Sequence, residues 1–138
     1  MTLIEQIKRH EGSVISNNRH MPYTDSVGKT TIGYGRNIDD VGISEQEAHF
    51  LLMNDIRIAT SELYENFDWF GTINKTRQDV LINMCFNIGI NRLKGFKNMI
   101  AALKRQDFDD AAKEMLDSKW ARQVKGRADE LAEQMRKG

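Results

Sequence analysis

The chain has 138 residues, with 20 Lys/Arg, 20 Asp/Glu and a formal net charge of zero. Hydrophobic residues make up 40% and charged residues 29%, the balance of a globular chain and not of a disordered one. A single Cys excludes a disulfide framework, and three scattered His form no zinc-ligand cluster, so no structural zinc site is expected.

No apolar run nears the ~20 residues that span a bilayer. Residues Met1 to Arg9 lack the apolar block of a signal peptide, which predicts synthesis and folding in a cytosol. The zero charge hides an asymmetry. Residues 1–70 carry 6 Lys/Arg against 11 Asp/Glu, a balance of −5, and residues 71–138 carry 14 against 9, a balance of +5. A basic half is drawn to polyanions such as nucleic acid or cell wall, although two ordinary mixed surfaces give the same count.

In chain order, residues 2–11 read as a short amphipathic helix with Leu3, Ile4 and Ile7 on one face, and Gly12 is placed to end it. Residues 13–35 change character. Turn formers (Asn17, Asn18, Pro22, Gly28) punctuate short stretches containing Val14, Ile15, Tyr23 and Thr30 to Ile32. They predict a small irregular sheet with a turn at Val27-Gly28-Lys29.

Ser44 and Glu47 form a capping box. Ala48, Leu52, Ile56, Ala59 and Leu63 then repeat at helical spacing, which predicts one long helix over 44–66. Asn74 caps a further helix that Gly89 closes; its run from Val80 to Phe86 is apolar nearly all round and marks the centre of the core. Helices over about 95–105, 108–118 and 126–136 complete the chain, the middle one opening on Asp107 and Asp110. The expected fold is α+β and mainly α. It has a small sheet lobe (13–43), a joining helix (44–66) and a helical lobe (67–138, with helix 2–11 added), making a single domain.

Three residues stand out chemically. Glu11 ends the first helix, Asp25 lies in the sheet region, and Thr31 opens Thr31-Ile32-Gly33-Tyr34-Gly35. Two carboxylates on different elements facing one cleft are what glycoside hydrolysis needs, one protonated and the other ionised. A neighbouring hydroxyl can hold a water. Each has an ordinary reading beside this one: Glu11 as a solvated helix end, Asp25 as a turn former. Gly33-Tyr34-Gly35 is too little for a phosphate loop. Cys85 reads as an inert core thiol, His10, His20 and His49 as surface or capping residues, and Trp69, Phe70 and Trp120 as core.

The ordered pieces resemble a known family. Glu11-Gly12, Asp25 and Thr31-Ile32-Gly33-Tyr34-Gly35-Arg36 resemble the active-site signature of the phage-type lysozymes, the glycoside hydrolase family 24 muramidases. Ile43 to Ala48 is similar to the start of the family's interlobe helix, and Leu81 to Gly89 to its central buried helix. Gly95-Phe96, Ala111-Ala112, Ser118-Lys119-Trp120 and Arg127-Ala128 follow in the family's order.

The resemblance implies a two-lobed lysozyme fold and an endolysin. Its substrate would be peptidoglycan, cut between N-acetylmuramic acid and N-acetylglucosamine with inversion. Glu11 would be the general acid, Asp25 the ionised carboxylate that activates water, and Thr31 a positioner of that water. Phe86 and Asn87 would line the cleft floor, and Arg127 would lie across the cleft near the acid. It further implies no metal or organic cofactor, and a monomer that needs a partner holin to leave the host cytoplasm for the periplasm and wall.

The match has departures. Thirteen residues separate Glu11 from Asp25, where the family's archetype has eight, so Ser13–Pro22 would lengthen a loop of the small lobe. Arg36 replaces a histidine, so no histidine-based ion pair is expected there. Met99 and Glu114 stand where the archetype has small polar or amide groups. Two other classes remain as readings. One is a peptidoglycan-binding module with the same fold and no catalysis. The other is a nucleic-acid binder using the basic helix–glycine–helix at 76–105. The apolar stripe Phe96, Met99, Ile100 and Leu103 argues against the second, because it calls for burial.

Overall fold

Thr2 starts the first helix with a capping box that the sequence reading did not use. In the computed structural model, which describes residues 1–138, the Glu5 N–H donates to Thr2 Oγ1 at 3.1 Å and the Thr2 N–H donates to Glu5 Oε2 at 2.8 Å. Helix α1 (Leu3–Glu11) ends at Gly12, whose N–H donates to Lys8 O and whose φ of 63° only glycine takes easily. Leu3, Ile4 and Ile7 lie on the predicted face, and all three are exposed.

The chain divides into two compact units, Met1–Phe50 and Leu51–Gly138. In the first, strands β1 (Ile15–Ser16) and β2 (Arg19–His20) form a hairpin around Asn17 and Asn18. Both residues are left-handed, with φ of 50° and 63°, the backbone of a tight two-residue hairpin turn that Asn tolerates. Strands β3 (Tyr23–Thr24), β4 (Thr30–Ile32) and β5 (Arg36–Asn37) make an antiparallel sheet in which Thr31 faces both Tyr23 and Asn37. The turn falls where Val27-Gly28-Lys29 predicted it.

A one-turn helix α2 (Ile38–Val41) follows, capped by the Asn37 side chain; it is too short to show a hydrophobic period. Helix α3 (Glu45–Asn66) begins in the first unit and ends in the second. Its predicted box is present: Ser44 Oγ accepts the Glu47 N–H, and Glu47 Oε1 accepts the Ser44 N–H. Of the repeat read along α3, Ala59 and Leu63 are buried, while Leu52 and Ile56 are exposed.

The second unit holds the hydrophobic core. A 3-10 turn (Phe70–Thr72) leads to α4 (Lys75–Ile88), capped by Asn74 and closed at Gly89 as predicted. Helices α5 (Ile90–Lys94), α6 (Lys97–Lys104), α7 (Phe108–Leu116), α8 (Lys119–Val124) and α9 (Gly126–Lys137) follow. Helix α4 buries Val80, Leu81, Met84 and Cys85, but Phe86 is exposed; the helix is central on one side and not all round.

From the apolar stripe of α6, Met99 and Leu103 are fully buried, and Phe96 and Ile100 pack partly against the core. Trp120 on α8 is the largest buried side chain. Burial pushes the Cys85 thiol up to about 11, the behaviour of an unreactive core cysteine. Arg77 holds the end of α9: its Nε donates to Met135 O at 2.7 Å, Nη2 donates to Arg136 O, and the guanidinium lies 3.6 Å from the Phe108 ring centroid. The fold class is α+β and mainly helical, as expected.

Candidate active site

The residues of the first unit's candidate site are placed by backbone. Asp25 stands just past β3. Its Oδ1 accepts N–H bonds from Val27 at 2.9 Å and Lys29 at 2.8 Å. Both bonds use the same oxygen, so they fix the carboxylate plane without occupying Oδ2. The Asp25 N–H donates to Lys29 O at 2.9 Å and closes the turn. The turn-former reading of Asp25 is thus met, and the carboxylate is held rigid by it.

Thr31 on β4 is 3% exposed. Its hydroxyl donates to the same Lys29 carbonyl at 3.1 Å. The backbone of Lys29 therefore ties Asp25 and Thr31 together. With its proton committed, Thr31 Oγ1 can only accept from a further partner.

Glu11 is the last residue of α1 and is exposed. Its carboxylate lies against the backbone of Gly35, in the turn between β4 and β5. A Cβ placed on Gly35 would sit 3.0 Å from Glu11 Oε2 and 3.1 Å from Cδ. Gly35 also has φ of 85°. Only glycine meets both demands, the left-handed backbone and the close approach. The contact of Gly35 with Glu11 has no signature within a single segment of the sequence.

Arg36, next to Gly35, donates from Nη1 to Glu47 Oε1 at 2.8 Å and to Gly42 O at 3.1 Å. The guanidinium and the Ser44 N–H hold the Glu47 carboxyl at about 2, well below the usual range. An Arg–Glu pair thus occupies the place where a histidine-based pair was not expected.

In the second unit, Phe86 and Arg127 share a groove of about 350 Å³ with Leu52, Ile56, Ile82 and Asn83. Arg127 donates from Nε and Nη2 to Asn83 Oδ1 at 3.0 and 2.7 Å, a fork that aims the guanidinium. Asn83 is a residue the sequence reading did not select. Asn87 lies apart from this groove: its Oδ1 accepts the Trp120 Nε1–H at 2.8 Å. A second groove of about 260 Å³ is lined by Phe96, Asn98, Met99, Glu114, Ser118 and Trp120, among others. No three His, Cys, Asp or Glu side chains come together as a metal site, and no helix is long and apolar enough to cross a membrane.

The phage lysozyme family profile matches residues 8–137, nearly the whole chain. The chain belongs to the phage lysozyme family. It is similar to a probable T4-type lysozyme 1 of Dictyostelium discoideum, 26% identical over 132 residues that cover 94% of this chain and 73% of that protein. It is also similar to the pre-baseplate central spike protein Gp5 of Enterobacteria phage T4, 28% identical over 157 residues that cover 93% of this chain. Against Gp5 the chain spans 26% of the relative's length. Membership of the phage lysozyme family accounts for the mainly helical α+β architecture with its small antiparallel sheet, and it supports a lysozyme-like function.

Proposed function

We propose that this phage lysozyme family member is an endolysin. It hydrolyses the β-1,4 bond between N-acetylmuramic acid and N-acetylglucosamine of peptidoglycan, with inversion, to lyse the host cell. The observation that carries the reading is the Asp25–Lys29–Thr31 arrangement. A carboxylate with one fixed oxygen and a hydroxyl that can only accept are both tied to the backbone of Lys29. A water that donates one proton to Asp25 and the other to Thr31 presents its lone pair outward, toward an anomeric carbon. Asp25 takes the proton as the water attacks. Glu11 delivers a proton to the leaving glycosidic oxygen, and both groups face charge that develops in the oxocarbenium-like transition state.

Phe86, Asn87 and Arg127 are the proposed substrate-binding residues of the second unit. Arg127, aimed by Asn83, suits an anionic wall polymer. The protein acts as a monomer on peptidoglycan alone. It waits in the host cytoplasm until a holin admits it to the periplasm and wall, and it engages no nucleic acid.

Digestion of purified peptidoglycan by the wild type and by Glu11→Gln tests the reading, with products identified by mass and reducing end. New N-acetylmuramic reducing ends from the wild type alone are expected, with Glu11→Gln slower by at least ~100-fold. Anhydro-muramic ends would mean that no water is delivered, and the role given to Asp25 would fall. Wall binding without cleavage by either protein would leave a binding module.

A further inference from the structure

The hairpin β1–β2 is the part of the first unit that the family resemblance does not explain, because it occupies the lengthened segment between Glu11 and Asp25. One of its residues reaches both chain segments that bracket the Glu11 carboxylate. On one side the chain leaves Glu11 through the capping Gly12, at φ of 63°, and comes to Ser13. Ser13 Oγ and His20 Nδ1 are hydrogen-bonded at 2.6 Å. On the other side the carboxylate lies on Gly35, and Tyr34 immediately precedes it. The His20 ring meets the Tyr34 ring edge-on, with centroids 5.1 Å apart. Lys8, one turn before Glu11 on α1, places Nζ 5.2 Å from the centroid of the same Tyr34 ring.

We propose that His20 is a positioning residue for Glu11: through Ser13 and Tyr34 it fixes the end of α1 against the Gly35 turn and so aims the acid. This rests on the reading of Glu11 as the proton donor. The alternative for a Ser–His pair is a nucleophile, but the second contact of this ring is an aromatic edge and not an orienting carboxylate. The tether matters because a glycine, the residue with the fewest backbone restraints, follows the acid directly, and proton transfer falls off steeply once donor and acceptor are misplaced. Without His20 the hairpin remains closed by its own strand pairing and by the Met21 N–H on Val14 O. Loss of the tether therefore changes where Glu11 points and leaves the hairpin formed.

The test separates aim from fold. His20→Phe keeps a ring against Tyr34 and removes the bond to Ser13; His20→Asn removes the ring and keeps a polar atom where Nδ1 lies; Ser13→Ala removes the partner. All are compared with the wild type on soluble, uncrosslinked glycan strands of peptidoglycan, reading kcat and KM separately, with thermal unfolding alongside. His20→Phe and Ser13→Ala are each expected to lower kcat about tenfold with KM unchanged, from a modest displacement of the acid. The Ser13→Ala/His20→Phe double variant should lose no more than either single one, since one bond is removed in all three. His20→Asn, which keeps the bond to Ser13 and loses the ring against Tyr34, should recover part of the loss.

Unchanged kcat in His20→Phe beside an active wild type would overturn the proposal. So would a raised KM at constant kcat, which makes the hairpin a substrate contact. So would losses in all variants, His20→Asn included, that track falling unfolding temperatures. An inactive wild type would instead strike the reading of the site as hydrolytic.

Discussion

Asp25 holds its turn and, in the function proposed for it, draws a proton from water, and one substitution can part the two. Asparagine keeps an oxygen in the position of Oδ1, so the Val27 and Lys29 N–H bonds survive, while the negative charge that would draw a proton from water is lost. Asp25→Asn is expected to stay within about 1 kcal/mol of wild-type stability while losing at least ~100-fold in peptidoglycan hydrolysis. Paired chemical denaturation and turnover measurements check it. A drop in stability that accounts for the lost activity would return Asp25 to the rank of turn former.

At this scale the sequence was legible where chemistry follows residue type. Glu11, Asp25 and Thr31 were selected before any geometry, and Cys85 was read as buried. Gly35, His20 and Asn83 were not selected, because each acts through a contact between segments distant along the chain. A glycine that clears space for a carboxylate 24 residues away leaves no local pattern.

Among elements, β5 and α3 meet through Arg36 and Glu47. Glu47 Oε1 accepts from Arg36 Nη1 and from the N–H of Ser44, the residue that opens α3. The folded-state value of Glu47 is depressed, from 4.5 to about 2. A depressed carboxyl stabilises the folded chain fully above its unfolded value, and that contribution fades as pH falls through the folded one. Glu47→Gln is therefore expected to unfold at lower temperature than the wild type above about pH 5, with the gap closing between 4.5 and 2. Both side chains are more than a third exposed, so the gap is small and shrinks with added salt. Melting curves of the two proteins across that range decide it; a gap independent of pH would remove the pair as its cause.

Helix boundaries were readable where caps are spelled out, at Ser44, Asn74, Gly89 and Asp107. Helices α2, α5 and α8 went unread, being only 4, 5 and 6 residues long. A piece of one or two turns shows no hydrophobic period, and its neighbours in space decide that it forms.

Across the molecule, stabilising burial is unevenly spread. Every buried hydrophobic residue, from Ala59 to Met135, belongs to the second unit. The only buried side chain of the first is Thr31. The first unit is held by caps, turns and strand bonds and by little apolar area, the makings of a region that opens readily. Hydrogen exchange followed by mass spectrometry should find β3, β4 and β5 exchanging well before α4, α7 and α9. Equal protection across both units would contradict this division. The fold class was plain in the sequence because long periodic segments dominate it, but the apolar face of α1 suggested a burial that the structure does not give it.

The two tryptophans add a practical consequence. Trp69 and Trp120 both belong to the second unit, whereas Glu11, Asp25 and Thr31 belong to the first. Intrinsic fluorescence thus watches one half of the chain while the proposed chemistry belongs to the other. On gentle heating, loss of the proposed peptidoglycan hydrolysis should run ahead of the fluorescence transition. A sample that still looks native to the fluorimeter can already have lost its first unit, so a shelf-life test has to follow residues 1–50 directly.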